Sequence, residues 1–213
     1  MVHDEQTKKT EDWVVHLSRI LAERESVKKS GQRSPVWIRK RANLRRGVAA
    51  GTEHYAYAEV LPYVNAGRAR QTVLLRLFSL VADFDDIAMY EKGDRGKSRS
   101  LGQWAYLVSS TTGSTENERF ELDPSKPDKI AQRLAFIHAL DVEEAILAIR
   151  RIMMIATSGD QTAPAIDYYQ LFRTFLFWGD GFTPASIETR SRILRDYYVG
   201  VSVPSEASTT ISK

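Results

Sequence analysis

The segment Gly93-Asp94-Arg95-Gly96-Lys97-Ser98 comes nearest to a chemical motif, because it ends like a phosphate-binding loop. Such a loop needs a glycine five residues before its second one and a strand leading in, so that backbone amides can cradle the phosphates. Glu91 stands at that first position and the preceding apolar pattern is helical, so a nucleotide site does not follow. A basic loop does. Lys92, Arg95, Lys97 and Arg99 can each meet a phosphate and release its counterions. Without an anionic partner the same loop is a solvated surface segment.

Three carboxylates, Asp83, Asp85 and Asp86, cluster at the expected end of a helix. They lack the glycine and distal glutamate of a calcium loop, and a divalent-metal nuclease is the chemistry they would serve. The four histidines (His3, His16, His54, His138) are scattered, with no His-Glu-x-x-His pair, and His138 reads as a packed residue. No Ser-His-Asp pattern or nucleophile elbow is present. The chain has no cysteine, which excludes disulfides, thiolate chemistry and zinc sites of the cysteine type. No catalytic residue, metal or cofactor is therefore expected.

Arginine is more informative. Between Arg33 and Arg46 stand six basic residues and no acidic one: Arg33, Arg39, Lys40, Arg41, Arg45 and Arg46. A helix that only needs solubility mixes signs, since Glu and Lys four apart stabilise each other. An unmixed basic helix points to a polyanionic partner. On a helix starting at Pro35, Trp37, Leu44 and Val48 share one side, while Arg39 and Arg46 share the opposite one with Lys40 nearby. Arg41 and Arg45 border the apolar stripe, where they serve either phosphate or acidic groups on a neighbouring helix. Arg150 lies near the Ile146/Ile149/Met153 face and Arg151 points further out. Arg173 stands among Tyr168, Tyr169, Phe172, Phe175, Phe177 and Trp178, and is as well suited to stacking inside the fold as to a ligand. These aromatics are spaced for a helix core, with base stacking by one of them as the alternative.

The charge distribution has the same direction. Net charge is only +3, but residues 30–100 hold 13 Lys/Arg against 7 Asp/Glu, whereas residues 101–213 hold 11 against 14. Hydrophobic content of 43% and charged content of 27% fit a globular chain rather than a polycation. The N-terminus has no apolar signal core. The longest apolar runs, 73–82 and 146–156, contain Arg76 and Arg150-Arg151, so no membrane contact is expected and a soluble cytoplasmic protein is.

Apolar spacing is helical nearly throughout and strand signals are scarce. The pattern predicts helices at about 11–29, 35–48, 54–64 (interrupted by Pro62), 68–89, 101–108, 128–139, 141–157, 165–178 and 184–199. Ser34-Pro35 and Thr183-Pro184 supply start signals. A helical turn is expected near Asn117–Glu121. The fold should be all-α, two packed helical sub-bundles of about eight to nine helices. The expected division is an N-terminal helix and linker (1–33), a sub-bundle with a basic surface (34–112), a polar linker (113–127), a C-terminal sub-bundle (128–200) and a disordered tail (201–213).

Several segments in this order resemble a known family. They are Leu44-Arg45-Arg46, Leu74-Leu75-Arg76-Leu77-Phe78, Ser100-Leu101-Gly102, Arg133-Leu134, Ile149-Arg150-Arg151-Ile152 and Phe177-Trp178-Gly179. Together, across roughly residues 34–199, they resemble the small subunit of the type I-E CRISPR surveillance complex Cascade, the CasB family. The resemblance implies an all-helical, non-catalytic protein of antiviral defence. Two copies would lie along a guide-RNA ribonucleoprotein, touching its backbone and large subunits. Their basic surface would hold single-stranded DNA, including the displaced strand of the R-loop. It assigns nucleic-acid contacts to Arg46, Arg70, Arg76, Arg133, Arg150, Arg151 and Arg173. Asp180 and Gly181 depart from its basic pattern. A structural protein–protein subunit with incidental nucleic-acid contact is the other reading, and the Asp83/Asp85/Asp86 nuclease a third.

Overall fold

A computed structural model describes residues 2–31, 34–92, 96–113 and 127–199. Arg33, Arg95, the turn expected near Asn117–Glu121, most of the 113–127 linker and the tail 201–213 lie outside the described residues. The fold is all-α. Among the described residues it has nine α-helices, no strand and one isolated parallel bridge, Met89 to Ile166.

Helix α1 (Val2–Ser30) buries Trp13, Leu17, Ile20 and Leu21 on one stripe. It begins earlier than the apolar pattern does, because no Gly or Pro interrupts residues 2–30. Gly31, at φ 65°, follows as the left-handed residue that commonly ends a helix. Helix α2 (Pro35–Arg45) starts as expected: Ser34 Oγ accepts the Trp37 amide, and Pro35 occupies the first turn. Its last expected turn, Arg46–Val48, tightens into a 3-10 turn. The 54–64 segment is broken into a 3-10 turn at Glu53–Ala56, α3 (Tyr57–Val60) and a second 3-10 turn holding Pro62.

Helix α4 (Arg68–Asp83) is the centre of the molecule, with every residue from Val73 to Ala82 buried. It stops short of the expected 89. Residues 88–90 run extended beside residue 166, where Tyr90 N donates to Ile166 O (2.8 Å) and Ile166 N to Ala88 O (3.0 Å). Around α4 lie α5 (Leu101–Gly113), α6 (Lys129–Leu134), α7 (Val142–Ala156), α8 (Tyr168–Leu176) and α9 (Pro184–Val199). The helix expected over 128–139 is α6 followed by a 3-10 turn at Ile137–Ala139.

Ion pairs set directions. Arg76 of α4 meets Glu143 and Asp83 meets Arg150, seven residues on in both helices, so α4 and α7 run parallel. Arg41 meets Asp85 while Gly47 meets Arg76, so α2 runs antiparallel to α4. At Gly102 α5 touches the backbone of α9. A Cβ there would collide with the Ile193 carbonyl oxygen and lie 2.7 Å from the Tyr197 amide nitrogen. This close crossing explains the glycine of the Ser100-Leu101-Gly102 segment.

Candidate nucleic-acid interface

Arginines in this fold separate into buried staples, ion-paired residues and exposed cations. Three are buried. Arg24 Nη1 donates to Tyr168 Oη (3.1 Å) and Nη2 to Ile87 O (3.2 Å), tying α1 to the end of α4. Arg190 donates to the carbonyls of Trp178 (3.2 Å), Gly179 (2.6 Å) and His138 (3.3 Å), and stacks over Trp178. Arg76 is the third. Its Nη1 donates to Gly47 O (2.7 Å) and pairs with Glu53 (2.7 Å), and its Nε donates to Glu143 (2.9 Å). The expectation that Arg76 touches nucleic acid is corrected: only 3% of it is exposed and carboxylates hold both sides of its guanidinium.

The residues bordering the α2 stripe are ion-paired. Arg41 binds Asp85 (2.9 Å) and the Ala82 carbonyl, and Arg45 binds Asp83 (2.7 Å), so the acid-holding alternative applies to both. Asp83 also receives Arg150 Nη2 (2.7 Å), which half-buries that arginine and fixes it between α4 and α7. Of the three carboxylates of the nuclease reading, Asp83 and Asp85 are held by guanidiniums and Asp86 is exposed. Among the described residues no three His, Asp or Glu side chains converge for an ion. A groove of about 490 Å3 between α1 and α2 is lined by Arg24, Lys28, Arg41, Arg45, Asp85 and Asp86, and its three arginines are already paired, with Glu25, Asp85 and Asp83 in turn.

Other expected cations stay at the surface. Arg39, Arg151 and Arg173 are exposed and have no side-chain partner among the described residues, so stacking inside the fold does not apply to Arg173. Arg46 lies 4.2 Å from the centroid of Tyr55 and remains exposed; Arg133 is exposed and, among the described residues, reaches the Lys129 carbonyl. Lys92 and Lys97 are exposed. Lys40 pairs with Glu23. Arg99 is half-buried over Tyr90 (4.0 Å) and donates to Ala165 O (2.7 Å), so it is largely committed to holding the loop; burial lowers its pKa. His138 is exposed, contrary to expectation, because it lies on a 3-10 turn rather than a continuous helix. Among the described residues His16 is the buried histidine, donating through Nε2 to Glu59 O (2.8 Å) and stacked on Tyr63.

A second groove, of about 550 Å3, gathers cations that sequence reading did not connect. Gln170, Arg173, Thr174 and Phe177 form one wall, spaced i, i+3, i+4, i+7 on α8 and its C-terminal end. Thr189, Arg192, Ile193 and Asp196, at the same spacing on α9, form the other, with Arg195 beside them. Ser98, Ser100, Leu101 and Gly102 close the floor. Arg70 of α4 lies beside the groove rather than in its lining, its guanidinium over the Phe177 ring at 6.0 Å from the centroid. Glu188 binds both Arg195 (2.7 Å) and Arg192 (3.5 Å), and their hydrogen bonds and charge hold its carboxyl below the usual range. Three guanidiniums, Arg173, Arg192 and Arg195, face two carboxylates, Asp196 and Glu188, so the groove is net positive. Arg192 and Arg195 were missed because residues 101–213 are acidic on balance. The available signal was the helical repeat from Thr189 to Asp196.

This arrangement can hold an extended polyanion without reading its sequence, since it offers cations, hydroxyls and one exposed ring. No helix among the described residues is long and apolar enough to cross a membrane. Solved structures share the fold. A CRISPR-associated protein of the Cse2 family from Thermus thermophilus aligns with a TM-score of 0.56 at 18% identity, covering 85% of this chain and 97% of that one. A chain of a CRISPR RNA-guided surveillance complex aligns at 0.54 and 21% identity, covering 85% and 95%. CasB from the same organism, Thermus thermophilus, aligns at 0.54 and 18%, covering 85% and 97%. No curated protein matches the chain. The sequence profile described as CRISPR-associated protein Cse2 matches residues 40–198, three quarters of the chain and all of it from late α2 through α9, and the chain belongs to that family.

Proposed function

We propose that this protein is a non-catalytic subunit of an RNA-guided CRISPR surveillance complex. In that complex it binds single-stranded DNA without sequence preference and stabilises the displaced strand of the R-loop. Base pairing to the guide reads sequence in such assemblies, so protein cations need only follow a backbone. The observation that carries the reading is the net-positive groove between α8 and α9, with Arg173, Arg192 and Arg195 on its walls and Arg70 at its side. The exposed cations Arg39, Arg46, Arg133, Arg151, Lys92 and Lys97 extend the candidate contacts to DNA or guide RNA. Partners in this reading are the guide ribonucleoprotein, its backbone and large subunits and a second copy of this chain, in the cytoplasm.

The test is fluorescence anisotropy of labelled single-stranded DNA across a salt series. Affinity should fall as salt rises, with a slope of roughly 0.7 per phosphate contacted. R70E/R173E should weaken binding and flatten that slope by about 1.4 if each arginine holds one phosphate. A salt-insensitive affinity, or a double variant that binds like wild type, rejects the reading. The alternative, a subunit whose contacts are all with protein, is favoured by the exposed apolar residues Val36 and Ile38 on α2 and Leu147 and Met154 on α7. It predicts no shift of single-stranded DNA by the isolated chain.

A further inference from the structure

We infer that Phe177 is a stacking platform for a single unpaired nucleobase, and that it makes the α8/α9 groove prefer single strands over duplex. The inference rests on the nucleic-acid reading above and deepens it. Five of the six aromatics between Tyr168 and Trp178 are buried or half-buried, and only Phe177 is exposed, at 54%. Exposure alone means little, because scattered apolar residues are normal on surfaces. The surroundings carry the argument.

Phe177 sits just after the last turn of α8, where the backbone leaves helical geometry (φ −110°, ψ 21°) and turns the ring off the buried Tyr168/Leu171/Phe172/Phe175 face. The backbone there is held on both sides. Phe177 N donates to Arg173 O (3.1 Å), and Trp178 is buried with its indole N–H on Leu140 O (3.0 Å). The Trp178 carbonyl in turn accepts from Ser186 Oγ (2.5 Å) and Arg190 Nε (3.2 Å). The ring is therefore presented from a fixed base, so little order has to be gained when a ligand arrives. Arg70 stands over the ring, its guanidinium 6.0 Å from the centroid, and Arg173 lies one helical turn back on the same groove wall, so a base laid on the exposed part of the ring has two guanidiniums nearby for its flanking phosphates. A phenylalanine offers no hydrogen bond and accepts any base face, which suits sequence-independent binding. Bases in a duplex are already stacked on each other and cannot reach it.

The experiment measures affinities of the full chain for a 16-nucleotide oligothymidine, the same oligonucleotide with abasic sites throughout, and a 16-base-pair duplex. Four proteins are compared: wild type, F177A, F177L and F177W. F177A and F177L are expected to bind the intact single strand roughly 5- to 150-fold more weakly. Their salt slopes and duplex affinities should stay unchanged, and F177W should restore binding. Wild type should bind the abasic strand about as weakly as F177A does. The inference is overturned if F177L binds like wild type, if the loss is equal for single strand and duplex, or if the salt slope changes. Wild type that fails to bind any of the three probes overturns the underlying reading instead.

Discussion

Replacing Arg76 with methionine separates a structural role from a ligand role most sharply. The side chain keeps its approximate length and loses three partners: Gly47 O at 2.7 Å, Glu53 at 2.7 Å and Glu143 at 2.9 Å. Removing one partner of a buried ion pair typically costs about 3–5 kcal/mol, because the other charge is left uncompensated. Glu53 is the partner concerned, its side chain only 17% exposed. Glu143 is half-exposed and adds little, since water screens it. The orphaned Gly47 carbonyl contributes about 1–3 kcal/mol, part of it already within the first figure. A loss of about 4 kcal/mol is expected, which lowers Tm by roughly 8–16 °C for a chain of this length.

Urea denaturation should show a lower midpoint with unchanged slope. The folded variant at low temperature should bind single-stranded DNA as wild type does. E53Q/R76M should recover part of the loss, because the stranded carboxylate is gone. The pairing also has a pH signature. Burial raises the Glu53 carboxyl, but hydrogen bonds from Tyr57 and Arg76 and the Arg76 charge outweigh it, so its folded pKa lies below the ordinary one. Its stabilisation is present above about pH 4.3 and is lost as pH falls through the folded value. If R76M melts with wild type but binds DNA more weakly, the reasoning is refuted and Arg76 is a ligand contact after all.

Three further outcomes are expected. E188Q should release Arg192 and Arg195 to phosphate, tightening single-stranded DNA binding several-fold and steepening the salt slope by up to about 1.4; unchanged or weaker binding in anisotropy counts against the groove. G102A should force α5 off α9 at a cost of about 3 kcal/mol, read as a Tm drop of roughly 6–12 °C, and a wild-type Tm would show that the crossing is loose. Burial lowers the His16 pKa despite its bond to the Glu59 carbonyl, so the unfolded chain takes up that proton first as pH drops. Stability should therefore decline from about pH 6.5 toward the folded pKa, and H16Q should flatten that slope in urea titrations at successive pH values.

Element types were legible because apolar residues recur at helical spacing and the Ser34 and Thr183 caps sit where the chain changes direction. Helix ends were less so. Nothing in the composition of 84–89 says that the chain will leave α4 to lie beside residue 166. The arginines mark where legibility stops. A helical wheel separated Arg41 and Arg45, bound to acids, from Arg39, which is exposed. It could not bury Arg76, because that requires knowing that Glu53 and Glu143, each far off in sequence, arrive on opposite sides. The α8/α9 groove was hidden as well, since its cations sit on two separate helices within residues 101–213, which hold 11 Lys/Arg against 14 Asp/Glu.

The buried arginines share a cause that makes the exposed ones identifiable by subtraction. Helix C-termini leave carbonyls without intrahelical donors, and a bundle of short helices buries many such ends. Arg24 caps the stretch after α4, Arg190 caps the end of α8 and the 3-10 turn before α7, and Arg76 caps the turn after α2. Each role uses the planar fork, which places several N–H groups on acceptors that point different ways, mostly carbonyls for Arg24 and Arg190 and one carbonyl with two carboxylates for Arg76. Lysine carries the same charge on a single ammonium and cannot span them. R190K should therefore leave at least one of the Gly179 and His138 carbonyls unpaired, while that of Trp178 keeps Ser186 Oγ, and cost about 1–3 kcal/mol for each one stranded. A phosphate in an open groove asks only for nearby positive charge, so R173K should keep most of the affinity for single-stranded DNA and the same salt slope. Thermal melts and anisotropy on the two variants decide it. A stable R190K, or an R173K that loses binding as completely as R173E, would mean that burial does not sort these arginines by role.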